Sequence, residues 1–179
     1  MGEGLNALRT KHASIPGYGA GGARFFPLVS AFAREIAARS ALDYACGKGN
    51  LADKLMSEGV VPLVHKYEMG VPAFSNPCPE MVDLVICNHA LYEFRPADFV
   101  ASVVYLRAIS RLGAFITFQW GESLNKGLSH WEGPMQDADW VYSTLRQHWP
   151  CHRMIDSGPN ESKYRQFVFY GFTKVKDFL

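Results

Sequence analysis

The chain has 179 residues, 48% of them hydrophobic and 20% charged, with a formal net charge of +1. That length fits one domain able to bury a substantial core, and the balance excludes a disordered or fibrous chain. It offers no bulk charge for gripping nucleic acid or an acidic membrane, and no apolar run approaches the roughly 20 residues of a membrane helix.

Residues 1–24 are rich in Gly, Ala and polar side chains, run through Pro16-Gly17-Tyr18-Gly19-Ala20-Gly21-Gly22, and read as a mobile arm or lid. They lack the charged-then-apolar layout of a secretory signal. A single domain is expected over 25–179. Phe25, Leu28, Val29, Phe32 and Ile36 recur at helical spacing, with Pro27 tolerable in the first turn. Ala41–Ala45 reads as a first strand, Gly49–Ser57 as a helix stopped by Gly59, and Val60–Tyr67 as a second strand ending at Glu68. Pro72, Pro77 and Pro79 then argue against a long helix. Val82–Cys87 is a continuous apolar run with one acid, the mark of a strand buried on both faces. A helix over Pro96–Ile109, a strand over Ala114–Trp120 and a helix over Asp137–Trp149 follow. Arg153–Ser157 and Gln166–Lys174 would form an antiparallel pair around Gly158-Pro159-Asn160. Strands alternating with helices predict a three-layer α/β domain with a mainly parallel sheet and a C-terminal antiparallel hairpin.

Four cysteines, Cys46, Cys78, Cys87 and Cys151, form no C-x-x-C pair and have no companion His spacing, which makes a zinc site unlikely and suits free thiols in a reducing, cytoplasmic setting. The most informative stretch is Ser40-Ala41-Leu42-Asp43-Tyr44-Ala45-Cys46-Gly47-Lys48-Gly49-Asn50-Leu51. An apolar run ends in an acid, turns through small residues, and enters a helix whose N-terminus faces whatever lies above. Gly47 and Gly49 can take positive φ and let a ligand touch bare backbone. A carboxylate under the loop repels a pyrophosphate but suits a cation or a hydroxylated ligand, so the loop reads as a nucleoside site.

In such folds ligands bind at the carboxyl ends of the strands. Glu68, 25 residues beyond Asp43, stands where a carboxylate can accept both hydroxyls of a ribose. Asn88 and His89 arrive directly from the buried third strand, followed by Ala90-Leu91-Tyr92-Glu93-Phe94. The segment from Gly121 to Pro134, with Asn125, His130 and Trp131, is long enough for a substrate lid.

Leu42-Asp43-Tyr44-Ala45-Cys46-Gly47-Lys48-Gly49 resembles motif I of class I, Rossmann-like S-adenosylmethionine-dependent methyltransferases, written (D/E)-x-G-x-G-x-G. Val82-Asp83-Leu84-Val85-Ile86-Cys87-Asn88-His89-Ala90-Leu91-Tyr92-Glu93 resembles their motif IV, and Glu68 falls at their ribose-binding acid. The resemblance implies S-adenosyl-L-methionine as cofactor and a methyl acceptor it does not identify, whether a small molecule, a nucleotide or a protein. It places Asp43, Ala45, Cys46, Gly47 and Gly49 at the methionine end, Glu68 at the ribose, and Asn88 and His89 at the methyl. It offers His89 or His130 as catalytic base. Two departures stand out. Ala45 replaces the first glycine, and only 14 residues separate Glu68 from Asp83, so the unit after the second strand is shortened to a Pro-rich loop, with Phe74 as a candidate partner for adenine.

Blander readings exist. The glycines could serve strand–helix packing alone, but Asp43 would then be an unexplained charge at a buried strand end. His89 could be a satisfied capping histidine and Glu68 a solvated acid. Trp131, Trp140 and Trp149 suit core packing better than base stacking. A non-catalytic module of the same fold, used for assembly or cofactor sensing, is the alternative function. A nicotinamide enzyme fits less well, since Asp43 precedes the glycines by too little and no G-x-G-x-x-G follows the first strand.

Overall fold

The computed structural model describes residues 2–76, 80–91, 94–120, 138–159 and 165–173. Its elements in chain order are α1 (Gly2–Ser14), a 3-10 turn (Gly21–Phe25), α2 (Phe26–Glu35), β1 (Ser40–Tyr44), α3 (Asn50–Ser57), β2 (Leu63–Tyr67), a 3-10 turn (Pro72–Phe74), β3 (Val82–Asn88), α4 (Pro96–Ile109), β4 (Ser110–Trp120), α5 (Ala138–His148), β5 (Cys151–Pro159) and β6 (Arg165–Phe172). The six strands lie in the order β2-β1-β3-β4-β6-β5. β2, β1, β3 and β4 are parallel, and β6 and β5 add the antiparallel hairpin.

The apolar run of β3 divides by strand alternation between two cores. Leu84 and Ile86 pack under α2 and α3 with Phe25, Val29, Phe32 and Leu55. Val85 and Cys87 face the other layer with Phe99, Val103, Leu106 and Leu145. Burial on both faces follows from helices covering both sides of a parallel sheet. Trp149 is fully buried and Trp140 packs on Phe99 at 5.1 Å, so both are core aromatics. Trp131 lies outside the described residues.

Asp83, the one acid of the run, is buried at the opposite end of the sheet from the strand ends that form the site. Its Oδ2 accepts from the backbone N–H groups of Arg39 and Ser40 at 2.9 and 3.2 Å, and Arg111 lies 3.3 Å from Oδ1. It therefore fixes the start of β1 against β3.

Element ends differ from the sequence reading for local reasons. β2 starts at Leu63, because the N–H groups of Val60 and Val61 bond back to the Leu55 carbonyl and close α3. β4 starts at Ser110, straight out of α4, with Ser110 Oγ donating to the Gly113 carbonyl at 2.8 Å. Gly158 and Pro159 extend β5 instead of forming the turn, and Asn160 lies outside the described residues.

Residues 2–24, within the segment read as a mobile arm or lid, carry α1 and the start of the first 3-10 turn, and they lie over the carboxyl ends of the strands. No apolar stripe announces α1. It packs instead on Gly19, just beyond it, and on Gly70, distant in sequence.

Beyond β2 the described chain holds only the short turn Pro72–Phe74 before β3, so β2 is the edge of the sheet and the shortening read from sequence is present. Because β1 feeds β2 on one side and lies beside β3 on the other, strand order reverses between β1 and β3, and a crevice opens there. No described helix is long and apolar enough to cross a membrane.

Candidate functional site

β1 delivers Asp43 almost completely buried, 2% exposed. Its carboxylate accepts a backbone hydrogen bond from Ala52 in the first turn of α3, while Oδ2 has no partner among the described residues. Burial is the main cause of a pKa raised to about 7; the Ala52 bond and Lys66 oppose the rise, and Glu68 adds to it. A buried carboxyl with an unmatched oxygen is an expensive group to keep without a use.

The chain then turns sharply. Ala45 has φ +56° and Gly47 φ +57°. Ala45 thus occupies the left-handed region that glycine adopts without strain, at a cost of about 1 kcal/mol. Ala45→Gly is expected to stabilise the chain by up to about 1 kcal/mol, the relief being partly offset by a freer unfolded chain. Urea denaturation should show it.

The loop's amides are already engaged. Cys46 N–H donates to the Tyr67 carbonyl at 3.0 Å, Gly47 N–H to Glu68 Oε2 at 3.2 Å, Lys48 N–H to the Gly19 carbonyl at 2.9 Å and Gly49 N–H to the Cys46 carbonyl at 2.9 Å. A phosphate cradle needs such amides free, so the loop is not an anion nest. The Lys48 ammonium is likewise tied to the Pro16 carbonyl.

Glu68 is buried, with Oε1 accepting from Gly70 N–H at 3.0 Å and Oε2 from Gly47 N–H. Each oxygen keeps further acceptor capacity. It faces the cavity from the end of β2.

β3 delivers Asn88 and His89. Asn88 Oδ1 accepts from Thr117 Oγ1 at 3.2 Å, and its buried Nδ2 has no partner among the described residues. His89 has φ +53°, strain of the kind that gathers at functional sites. Arg24 Nη2 lies 2.8 Å from His89 Nδ1, which must accept, since a guanidinium only donates. Burial first, and the Arg24 charge second, lower the His89 pKa to about 3. The imidazole is therefore neutral at physiological pH.

These groups meet around a cavity of about 290 Å³ at the β1/β3 crevice. Of the residues singled out in the sequence, Asp43, Ala45, Cys46, Gly47, Glu68, Asn88 and His89 all line it. Gly49 does not. It caps α3 at φ +75°, with the Lys66 side chain packed on it. Phe74 is also outside the lining, and its ring sits 4.9 Å from the Lys66 ammonium, while Met69 lines the cavity. His130, Asn125, Tyr92, Glu93 and Cys78 lie outside the described residues. Cys46, Cys87 and Cys151 are free thiols, and burial pushes the first two far up, away from thiolate chemistry.

Sequence reasoning missed His12 and Arg24, which reach the cavity from the amino-terminal segment. Only a long-range fold could bring them there, and neither sits in a motif. Arg24 is the one Lys or Arg among the described residues lining the cavity.

No protein-family profile and no curated protein matches the sequence. Solved structures do match in shape. The N-methyltransferase NodS from Bradyrhizobium japonicum WM9, in complex with S-adenosylhomocysteine, superposes with a TM-score of 0.64 at 12% identity, over 96% of this chain and 99% of that one. Magnesium protoporphyrin IX methyltransferase from Synechocystis PCC 6803, with bound S-adenosylmethionine, gives 0.60 at 14% identity, over 85% and 80%. Phosphoethanolamine N-methyltransferase 2 from Haemonchus contortus gives 0.58 at 11% identity over 80% of this chain, which spans about half (51%) of that longer protein. At such identities the likeness is one of fold.

Proposed function

From a chain that has the Rossmann-like fold of the class I methyltransferases, we propose that it is an S-adenosylmethionine-dependent methyltransferase acting on an acceptor still to be identified. The observation that carries the proposal is the donor set of the crevice. Asp43, with its unmatched buried oxygen, suits the cofactor's ammonium. Glu68 suits the ribose diol, and the engaged amides of the loop turn away a phosphate.

The same engagement leaves the cofactor's carboxylate without loop amides to bind. Arg24 is the group placed to take it. When bound, S-adenosylmethionine supplies an electrophilic methyl on a sulfonium, so the protein's tasks are alignment and exclusion of water. α1 and the 3-10 turn after it contribute His12 and Arg24 to the lining of the crevice, which supports a part for the amino-terminal segment in limiting solvent access. Asn88 holds its amide toward the reactive end. His89 is neutral and able to accept a proton, but weakly while Arg24 lies beside it. A carboxylate that drew Arg24 off would free the Nδ1 lone pair and raise the basicity of His89, which would suit it to take the acceptor's proton.

Arg24→Gln is expected to weaken S-adenosylhomocysteine binding by about 1.5–3 kcal/mol, the worth of a charge-assisted hydrogen bond. Affinity for the decarboxylated analogue should be almost unchanged. Titration calorimetry with both ligands checks it; equal losses on both would remove Arg24 from the carboxylate.

Thermal shift tests the function. Saturating S-adenosylhomocysteine should raise the melting temperature, while ATP and NAD should not. Stabilisation by the phosphorylated nucleotides alone would reverse the reading.

A further inference from the structure

His12 occupies a slot made for it. A Cβ on Gly70 would come within 2.5 Å of His12 Cδ2, and one on Gly19 within 2.7 Å of Cε1. Tyr18 closes the slot edge-on, ring centroids 4.8 Å apart. Leu8, one helical turn earlier, also packs on Gly70 and lines the same cavity. The imidazole side chain is only 6% exposed. Its Nε2 lies 3.7 Å from Glu68 Oε1, too far for a hydrogen bond, and its Nδ1 is buried with no partner among the described residues. A wedge chosen for shape alone would be apolar, because an orphaned ring nitrogen destabilises the fold that holds it.

Beside a carboxylate, an imidazole adds what the carboxylate lacks. Glu68 only accepts, whereas each hydroxyl of a vicinal diol both donates and accepts. Burial lowers the His12 pKa against the pull of Glu68, and the neutral ring then has one N–H to give and one lone pair to offer.

Resting on the cofactor reading above, we infer that His12 is a second ribose ligand, carried by the amino-terminal helix, which binds the nucleoside diol together with the adjacent Glu68. α1 is then part of the nucleoside site, and the cofactor is bound between the sheet and the first helix.

The test is a cycle of ligands and variants in titration calorimetry, using S-adenosylhomocysteine and its 2′-deoxy and 3′-deoxy analogues. Against the wild-type chain, removing the hydroxyl that His12 contacts should weaken binding about tenfold. His12→Leu, which keeps bulk without polar atoms, should weaken S-adenosylhomocysteine binding about tenfold and bind that deoxy analogue no worse than the parent. His12→Asn should restore part of the discrimination. Circular dichroism and melting of each variant establish that it is folded. If His12→Leu keeps the full wild-type discrimination against both analogues, or binds the parent more tightly, His12 is not a ribose ligand. Failure of the wild-type chain to bind S-adenosylhomocysteine at all would instead overturn the cofactor reading itself.

Discussion

Asp43→Asn is expected to lose S-adenosylhomocysteine binding by roughly two orders of magnitude while leaving the fold as stable as before, or more so. Removing one partner of a buried charge pair costs about 2–5 kcal/mol of binding. The stability side follows from linkage. The Asp43 pKa rises from 3.8 to about 7 on folding, chiefly by desolvation, so between those pH values the folded chain holds a proton that the unfolded chain has released. Stability therefore falls as pH rises through that window, by at most on the order of 4 kcal/mol, and the full loss is present above pH 7. Asparagine removes the titration and should melt at the same or a higher temperature at pH 8. Binding has the opposite slope. The ligand's ammonium needs the ionised form, so wild-type affinity should be about tenfold weaker at pH 6 than at pH 8. The asparagine variant should show no such slope. Calorimetry and melting curves across pH 5.5 to 8 read both. A variant that binds normally would remove Asp43 from the ligand.

Gly47→Ala carries the second large effect. At φ +57° a side chain is strained, and the new Cβ would come within 2.2 Å of the Gly19 carbonyl oxygen, a backbone atom that also accepts the Lys48 N–H. Loop and amino-terminal segment cannot both stay in place. A loss of about 3 kcal/mol is expected from overpacking and the left-handed backbone together. Ligand affinity should fall at least tenfold, because the displaced segment carries His12 and Arg24. Urea denaturation reads the stability, and faster proteolysis within residues 1–24 would report the displaced segment. Unchanged protease resistance would mean that the contact with Gly19 is dispensable.

The strand-loop-helix around Asp43 was legible because its signals are local: an apolar run, an acid at its end, and glycines at the turn. The same holds for β3, whose unbroken apolar run foretold burial on both faces, and for the missing unit after Glu68, visible as a short proline-rich interval. The helix within the amino-terminal arm or lid was not legible. α1 has no apolar stripe, and its hold on the domain comes from His12 and Leu8 meeting Gly70, a contact almost sixty residues away that no local pattern encodes. Arg24 escaped for the same reason, since its meaning depends on His89, 65 positions on. Gly49 looked like a ligand-facing glycine, yet its positive φ serves the start of α3. Phe74, read as a candidate partner for adenine, lies outside the cavity lining with Lys66 over its ring.

A crystal structure of the chain grown with S-adenosylhomocysteine tests the central claim most directly. The account predicts one ligand in the β1/β3 crevice, its amino group on Asp43, its ribose on Glu68 and its sulfur facing Asn88 and His89. A ligand bound elsewhere, or a ribose turned away from Glu68, would contradict it.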